Sequence, residues 1–184
     1  MYLYHIDQFV VLPVYPESIS DQMSATFNQS TPLARSAPIY SYSHSGPRTL
    51  TLSLTLHRDL MSQVNYDVSN LAINAGEDYV DTIIRSVQAM ALPAYVSAQK
   101  LVDPPMIAVR FGNDIYCKGV VNGAVSIDYQ APILENNKYA IAVLNFSITE
   151  IDPYDAEIVY NVGSFRGLDK TLERKLYGTG AALI

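Results

Sequence analysis

Residues 49–57 read Thr-Leu-Thr-Leu-Ser-Leu-Thr-Leu-His, and strict alternation of this kind admits one regular conformation. Leu50, Leu52, Leu54 and Leu56 fall on one side of an extended chain, with Thr49, Thr51, Ser53, Thr55 and His57 on the other. Wound at 3.6 residues per turn, the same leucines would smear around a helix and give it no apolar side. The stretch predicts a long amphipathic β-strand, which needs other strands beside it. Ser45-Gly46-Pro47 sets its start, because proline cannot continue a central ladder. Nothing in the wider stretch, Tyr40 to Leu60, is a catalytic signature.

A chain of 184 residues that is 49% hydrophobic can bury a real core, so disorder throughout is excluded. Only 16% of residues are charged, and 14 tyrosines occur without one tryptophan. Few charges and many amphipathic rings point to protein–protein contacts. A net charge of −6 with scattered Lys and Arg speaks against a dedicated nucleic-acid binder, since phosphate affinity rests on clustered cations. Cys117 is a lone cysteine, expected to be a buried, inert thiol without a disulfide partner. The apolar run Phe9 to Leu12 lacks a basic region before it and is too short to span a bilayer, so neither an export signal nor a membrane anchor is expected. Assembly in a cytoplasm is the consistent compartment.

Taken in order, Gln8 to Val14 predicts a first strand, stopped by Pro13 and Pro16. Residues 19–38 are polar and turn-rich with no sustained period, and predict a long arm loop. Loops of that length are uncommon unless they bind something or lie across a neighbour. Met61 to Asn74 reads as irregular. A helix is expected over about 77–92: Tyr79, Val80, Ile83, Ile84, Val87, Met90 and Ala91 recur at helical spacing, acids lead the first turn, and Pro93 ends the run. Met106 to Phe111 and Ile115 to Tyr129 predict a hairpin joined by Gly112-Asn113-Asp114, with bends at Gly119 and Gly123. Gln130 to Asn137 reads as a loop, and Lys138 to Glu150 as a strand with Leu144, Phe146 and Ile148 inward. The fold class is mainly β with one flanking α-helix, an α+β barrel or sandwich over 1–153. Residues 154–184 are expected to form a linker, a short helix over Leu168 to Tyr177, and a docking tail.

Sites of chemistry are absent from this pattern. His5, His44 and His57 have no metal-ligand spacing, so no metal and no cofactor are expected. On a strand His57 and Arg58 face opposite sides and make no dyad. Ser164 lacks the second glycine of a nucleophile elbow, and Gly178-Thr179-Gly180 has no strand before it to make a dinucleotide fingerprint. Glu17, Asp21, Glu77 and Asp78 read as a solvated face and a helix-start cluster. Tyr2 with Tyr4, and Tyr40 with Tyr42, alternate so that each pair fills a core or an interface. No enzyme is expected.

Several strings nevertheless form a pattern: Pro16-Glu17-Ser18-Ile19-Ser20-Asp21, Arg35-Ser36-Ala37-Pro38-Ile39-Tyr40, Gly46-Pro47-Arg48-Thr49 before the leucine strand, Pro104 to Phe111, Gly119-Val120, and Thr149-Glu150-Ile151. Over residues 10–155 this order resembles the tube-associated baseplate proteins of contractile phage tails and contractile injection systems, some of which carry a C-terminal LysM module. The motifs are loose patterns. The resemblance implies a tail-tube-like β-barrel or sandwich with a flanking helix, arranged in a six-fold ring in the virion that joins the tail tube and hub to wedge proteins. Residues 154–184 are too few for a LysM domain, so peptidoglycan binding is not implied and the tail becomes an attachment strap. Interface residues on this reading are Phe27, Leu33 and Arg35 of the arm, Tyr40 and Tyr42, and Phe165, Leu168, Leu172 and Leu176 of the tail. DNA would only pass through the lumen, which an acidic inner face would keep from sticking. The competing expectations are a tail-tube subunit and a soluble ligand-binding β-barrel with a closed apolar pocket.

Overall fold

The computed structural model describes residues 1–12, 14–61, 73–96, 101–152, 154–163 and 166–172. It opens with two short antiparallel strands, β1 (Tyr2–Leu3) and β2 (Gln8–Phe9), joined by a 3-10 turn at Tyr4–Ile6. The first strand expected over Gln8 to Val14 therefore stops at Phe9, and Tyr2–Leu3 is a strand that the sequence pattern did not reveal.

The next four strands are β3 (Ser18–Gln22), β4 (Ala25–Ser30), β5 (Ile39–Ser45) and β6 (Thr49–His57). Together they make one long two-stranded ribbon. β3 pairs with β6 from Ser18 opposite Ser53 to Gln22 opposite Thr49, and β4 pairs with β5 from Ala25 opposite Ser45 to Ser30 opposite Ile39. The returning side carries one extra residue at Gly46–Arg48 and another at Ser43, and each extra residue breaks the register and bends the ribbon. Pro47, which has no N–H to donate, sits in the first break, while the Gly46 N–H donates to the Ser24 carbonyl at 2.8 Å. The arm loop expected over 19–38 is thus corrected. Most of that segment is paired strand, and its conformation comes from its partners across the ladder rather than from a hydrophobic period of its own.

α1 (Arg58–Met61) follows β6 directly, and α2 (Tyr79–Ala89) occupies the expected helix with shorter ends than 77–92. The irregular segment expected over Met61 to Asn74 lies mostly outside the described residues. α2 starts with a reciprocal cap: the Asp81 N–H donates to Asp78 Oδ1 at 2.9 Å and the Asp78 N–H to Asp81 Oδ2 at 3.2 Å. Burial alone would raise the Asp81 carboxyl, but hydrogen bonds from Arg58 and Lys138 outweigh it and bring the pKa down to about 2. Arg58, buried at the end of β6, therefore ties that strand to the head of α2.

A small separate hairpin, β7 (Ala94–Val96) with β8 (Leu101–Asp103), precedes the expected one, β9 (Ile107–Phe111) with β10 (Ile115–Val121). The single strand expected over Ile115 to Tyr129 breaks around Gly123, whose φ of 87° is open to glycine at little cost. It resumes as β11 (Ser126–Ile133), beyond the loop expected from Gln130. β12 (Tyr139–Glu150) is the central strand. One of its edges pairs with β6 from Ile141 opposite His57 to Thr149 opposite Thr49; the other pairs with β11 and then with β10. The sheet runs β2-β1-β9-β10-β12-β6-β3, antiparallel at every pairing.

The leucine row of β6 is 0–1% exposed, as are Leu144 and Ile148 of β12, and Val80, Ile83 and Val87 of α2 belong to the same cluster. Each such side chain stabilises the fold by about 1.5–3 kcal/mol against the entropy of ordering it. The result is the expected mainly β, α+β arrangement, an antiparallel sheet with a helix on one face. Gly119 lies on that same face, where a Cβ would fall 2.0 Å from the Thr149 carbonyl oxygen. Because the obstacle is backbone of the central strand, Gly119→Ala is expected to lower stability by about 1–3 kcal/mol in a denaturant melt. An unchanged midpoint would contradict this account of the position.

After β12 the chain forms α3 (Ala156–Val162), capped by Asp155, whose carboxylate accepts from the Ile158 N–H at 2.8 Å. This helix lies in the segment expected to be a linker. The helix expected over Leu168 to Tyr177 is seen only at Lys170–Leu172, since residues 173–184 lie outside the described part.

Candidate assembly surface

Three inward-facing rows of the sheet end, at the same side, in charge instead of carbon. The β6 row runs Leu56, Leu54, Leu52, Leu50 and then Arg48. The β12 row runs Leu144, Phe146, Ile148 and then Glu150, and on β3 Ile19 is followed by Asp21. Arg48 is 3% and Glu150 5% exposed. Arg48 grips Asp21 through both guanidinium edges, Nε to Oδ1 and Nη2 to Oδ2, each at 2.7 Å. Its Nη1 donates to the Tyr116 carbonyl at 2.9 Å and lies 3.6 Å from Glu150 Oε1. On the far side of Glu150, the buried Arg166 donates from Nη2 to Oε2 at 3.2 Å and stacks 4.9 Å from the Tyr154 ring centroid.

Arg48, Glu150 and Arg166 are taken out of water, and the geometry holds because each faces an opposite charge, with Glu150 Oε1 and Arg166 Nε left without a hydrogen bond. The hydrogen bond from Arg48 holds the Asp21 carboxyl below its usual range. Burial pushes Glu150 above its own, against the opposing pull of Arg166 and Arg48. Asp21, read from sequence as part of a solvated face, keeps that exposure, its side chain 39% accessible, and is also the partner of Arg48. The pair closes the chain where the free half of the ribbon leaves the body: Asp21 is near the end of the outgoing strand and Arg48 opens the returning one.

The free half, β4 with β5, has two unlike sides. Phe27 stands opposite Tyr42, and Gln29 opposite Tyr40, on one side; Asn28 opposite Ser41 and Ser30 opposite Ile39 take the other. Phe27, Tyr40 and Tyr42 are 55%, 62% and 59% exposed, and the Phe27 and Tyr42 rings meet edge to face at 5.7 Å. At the tip Leu33 is fully exposed and Arg35 is exposed too, its backbone N–H closing a turn onto the Pro32 carbonyl at 3.3 Å. These five expected interface residues are therefore gathered on one projecting element, with three rings on one side of it.

The four expected in the tail divide differently. Leu172 is buried and Leu168 partly so, both against Tyr2, Ala108 and Tyr116 on the outward side of β1, β9 and β10. They dock on their own chain, which corrects the expectation that they face a neighbour. Phe165 and Leu176 lie outside the described residues, as do Ser164 and Gly178-Thr179-Gly180. Beyond the part covered by the tail, the outward side of the sheet presents Ser18, Ser20, Thr51, Ser53, Asn145 and Ser147 among the described residues, with Val143 and Ile141 further along β12 and Asp128 beside them on β11.

The remaining sequence candidates are structural. His5 is buried, with Nε2 3.1 Å from the Ala89 carbonyl. The Cys117 thiol is buried in the core, and burial pushes its pKa to about 12, far from a reactive thiolate. Among the described residues no helix is long and apolar enough to cross a membrane. No protein-family model matches the chain, and no curated protein matches it in sequence.

Proposed function

We propose that this chain is a structural subunit of a contractile-tail baseplate, forming a ring that joins the tail tube and hub to the surrounding wedge proteins. The observation that carries the reading is the projecting β4–β5 ribbon with its bare aromatic side. A two-stranded ribbon alone is marginal in water, and three neighbouring rings on one side of it favour a surface covered by another subunit. On this reading the sheet curls around α2 into a tail-tube-like barrel, and the arm crosses to the next copy in a six-fold ring. The hydroxyl- and amide-rich side of β3, β6, β11 and β12 faces the lumen, where a surface without clustered cations lets DNA pass without adhering. The subunit works by holding shape, and its place is the virion. A tail-tube subunit would use the same surfaces. A ligand-binding barrel would need an open interior, and α2 fills that space with buried side chains.

The test is the mass of the purified chain by light scattering over a concentration series, alone and with tail-tube and hub proteins, combined with limited proteolysis of residues 23–47. Rings, or a monomer that assembles on those proteins with its arm protected, are expected. A chain that stays monomeric with a cleavable arm in every mixture overturns the reading.

A further inference from the structure

A groove of about 720 Å³ opens at the foot of the arm, between the first break in the ribbon and α3. Met23, Pro47, Tyr154, Val159 and Tyr160 line its sides, with Arg48 and Glu150 at its floor. α3 buries none of its residues, and Tyr160 is 90% exposed. Asp152 and Asp155 line the groove, Glu157 stands exposed on the same helix outside the lining, and the cations nearby, Arg48 and Arg166, are buried and paired with carboxylates. The rim is therefore acidic. The arm is its complement: from Gln22 to Pro47 it carries no carboxylate, and Arg35 at the tip is its permanent charge.

Arg35 cannot reach this rim in its own molecule. Met23 and Ser45 at the foot line the groove, and the tip lies five residue pairs further out, roughly 17 Å away at the rise of an extended strand. We propose that the arm of one copy lies across α3 and the groove of the next, with its aromatic side on Val159 and Tyr160 and Arg35 against Glu157. The inference rests on the assembly reading and names its acceptor surface. Donor and acceptor are different patches of one chain, so the contact is head-to-tail and generates a ring when its rotation closes.

The test is charge reversal, read by light scattering on the full chain, with hub and tube proteins added if the wild type needs them. Arg35→Glu and Glu157→Lys, both at exposed positions, are each expected to raise the concentration for half-assembly about tenfold or more, because like charges then meet in the interface. The double variant should recover most of that loss, and Tyr160→Ser should weaken assembly without changing the melting temperature. A wild type that assembles while Arg35→Glu assembles equally well overturns this inference and leaves the assembly reading standing. Loss in both single variants without recovery in the double variant removes Glu157 as the acceptor. A wild type that assembles under no condition overturns both.

Discussion

Arg48→Ala lowers the unfolding free energy by about 3 kcal/mol, the expected cost of removing one member of a buried, hydrogen-bonded ion cluster. The guanidinium lies between Asp21, Glu150 and the Tyr116 carbonyl, so its removal leaves the buried Glu150 with Arg166 as its partner, orphans the Tyr116 carbonyl and frees the partly exposed Asp21. Chemical denaturation measures the effect directly. The variant's arm should also be cut faster by protease, because the Asp21–Arg48 clasp closes its root. Replacing Arg48 by methionine together with Asp21→Asn should restore much of the stability, since Glu150 keeps Arg166 as its partner and no buried charge is left uncompensated. A loss under 1 kcal/mol for Arg48→Ala would mean that water reaches the cluster and screens it.

The second large effect is on assembly. Phe27→Ser, Tyr40→Ser and Tyr42→Ser combined should leave the melt of the body nearly unchanged, because these side chains are more than half exposed. Buried aromatic anchors at interfaces each contribute 2 kcal/mol or more, so the combined variant should weaken assembly by more than about a hundredfold. Sedimentation velocity at matched concentrations separates the outcomes. Unchanged assembly would remove the aromatic side of the arm from the interface.

The elements that stood out in the sequence are those whose side chains report their own environment. β6 was legible because Leu50 to Leu56 alternate against hydroxyls, and α2 because Ile83, Ile84 and Val87 recur beneath an acidic cap and before Pro93. β4 was not, because Ala-Thr-Phe-Asn-Gln-Ser buries neither side, so no period is written into it and only its partner strand makes it extended. α3 has no buried stripe to write either; its trace is Asp155 followed by Glu157 just after Pro153, an N-cap with an acidic first turn. The Arg48 cluster was hidden for another reason. Gly46-Pro47-Arg48 reads as a turn, yet carrying the leucine period back two residues from Leu50 places Arg48 inward. Carrying the β12 period forward from Ile148 places Glu150 inward beside it. Opposite charges ending neighbouring inward rows were the available sign. The pairing of the two rows, which brings those ends together, is a property of the folded sheet.

The ribbon that becomes the arm also has a mechanical meaning. Its returning strand continues into β6 through the bent three-residue link Gly46–Arg48, and β6 lies against β12 along its whole length from Thr49 to His57. A pull on the tip along the ribbon axis therefore loads every rung of that ladder in parallel, as shear, and none can open before the others. A pull sideways meets only the short Asp21–Arg48 root. A subunit built this way is stiff in tension and compliant in bending, and in the proposed ring its arm would tilt while resisting stretch.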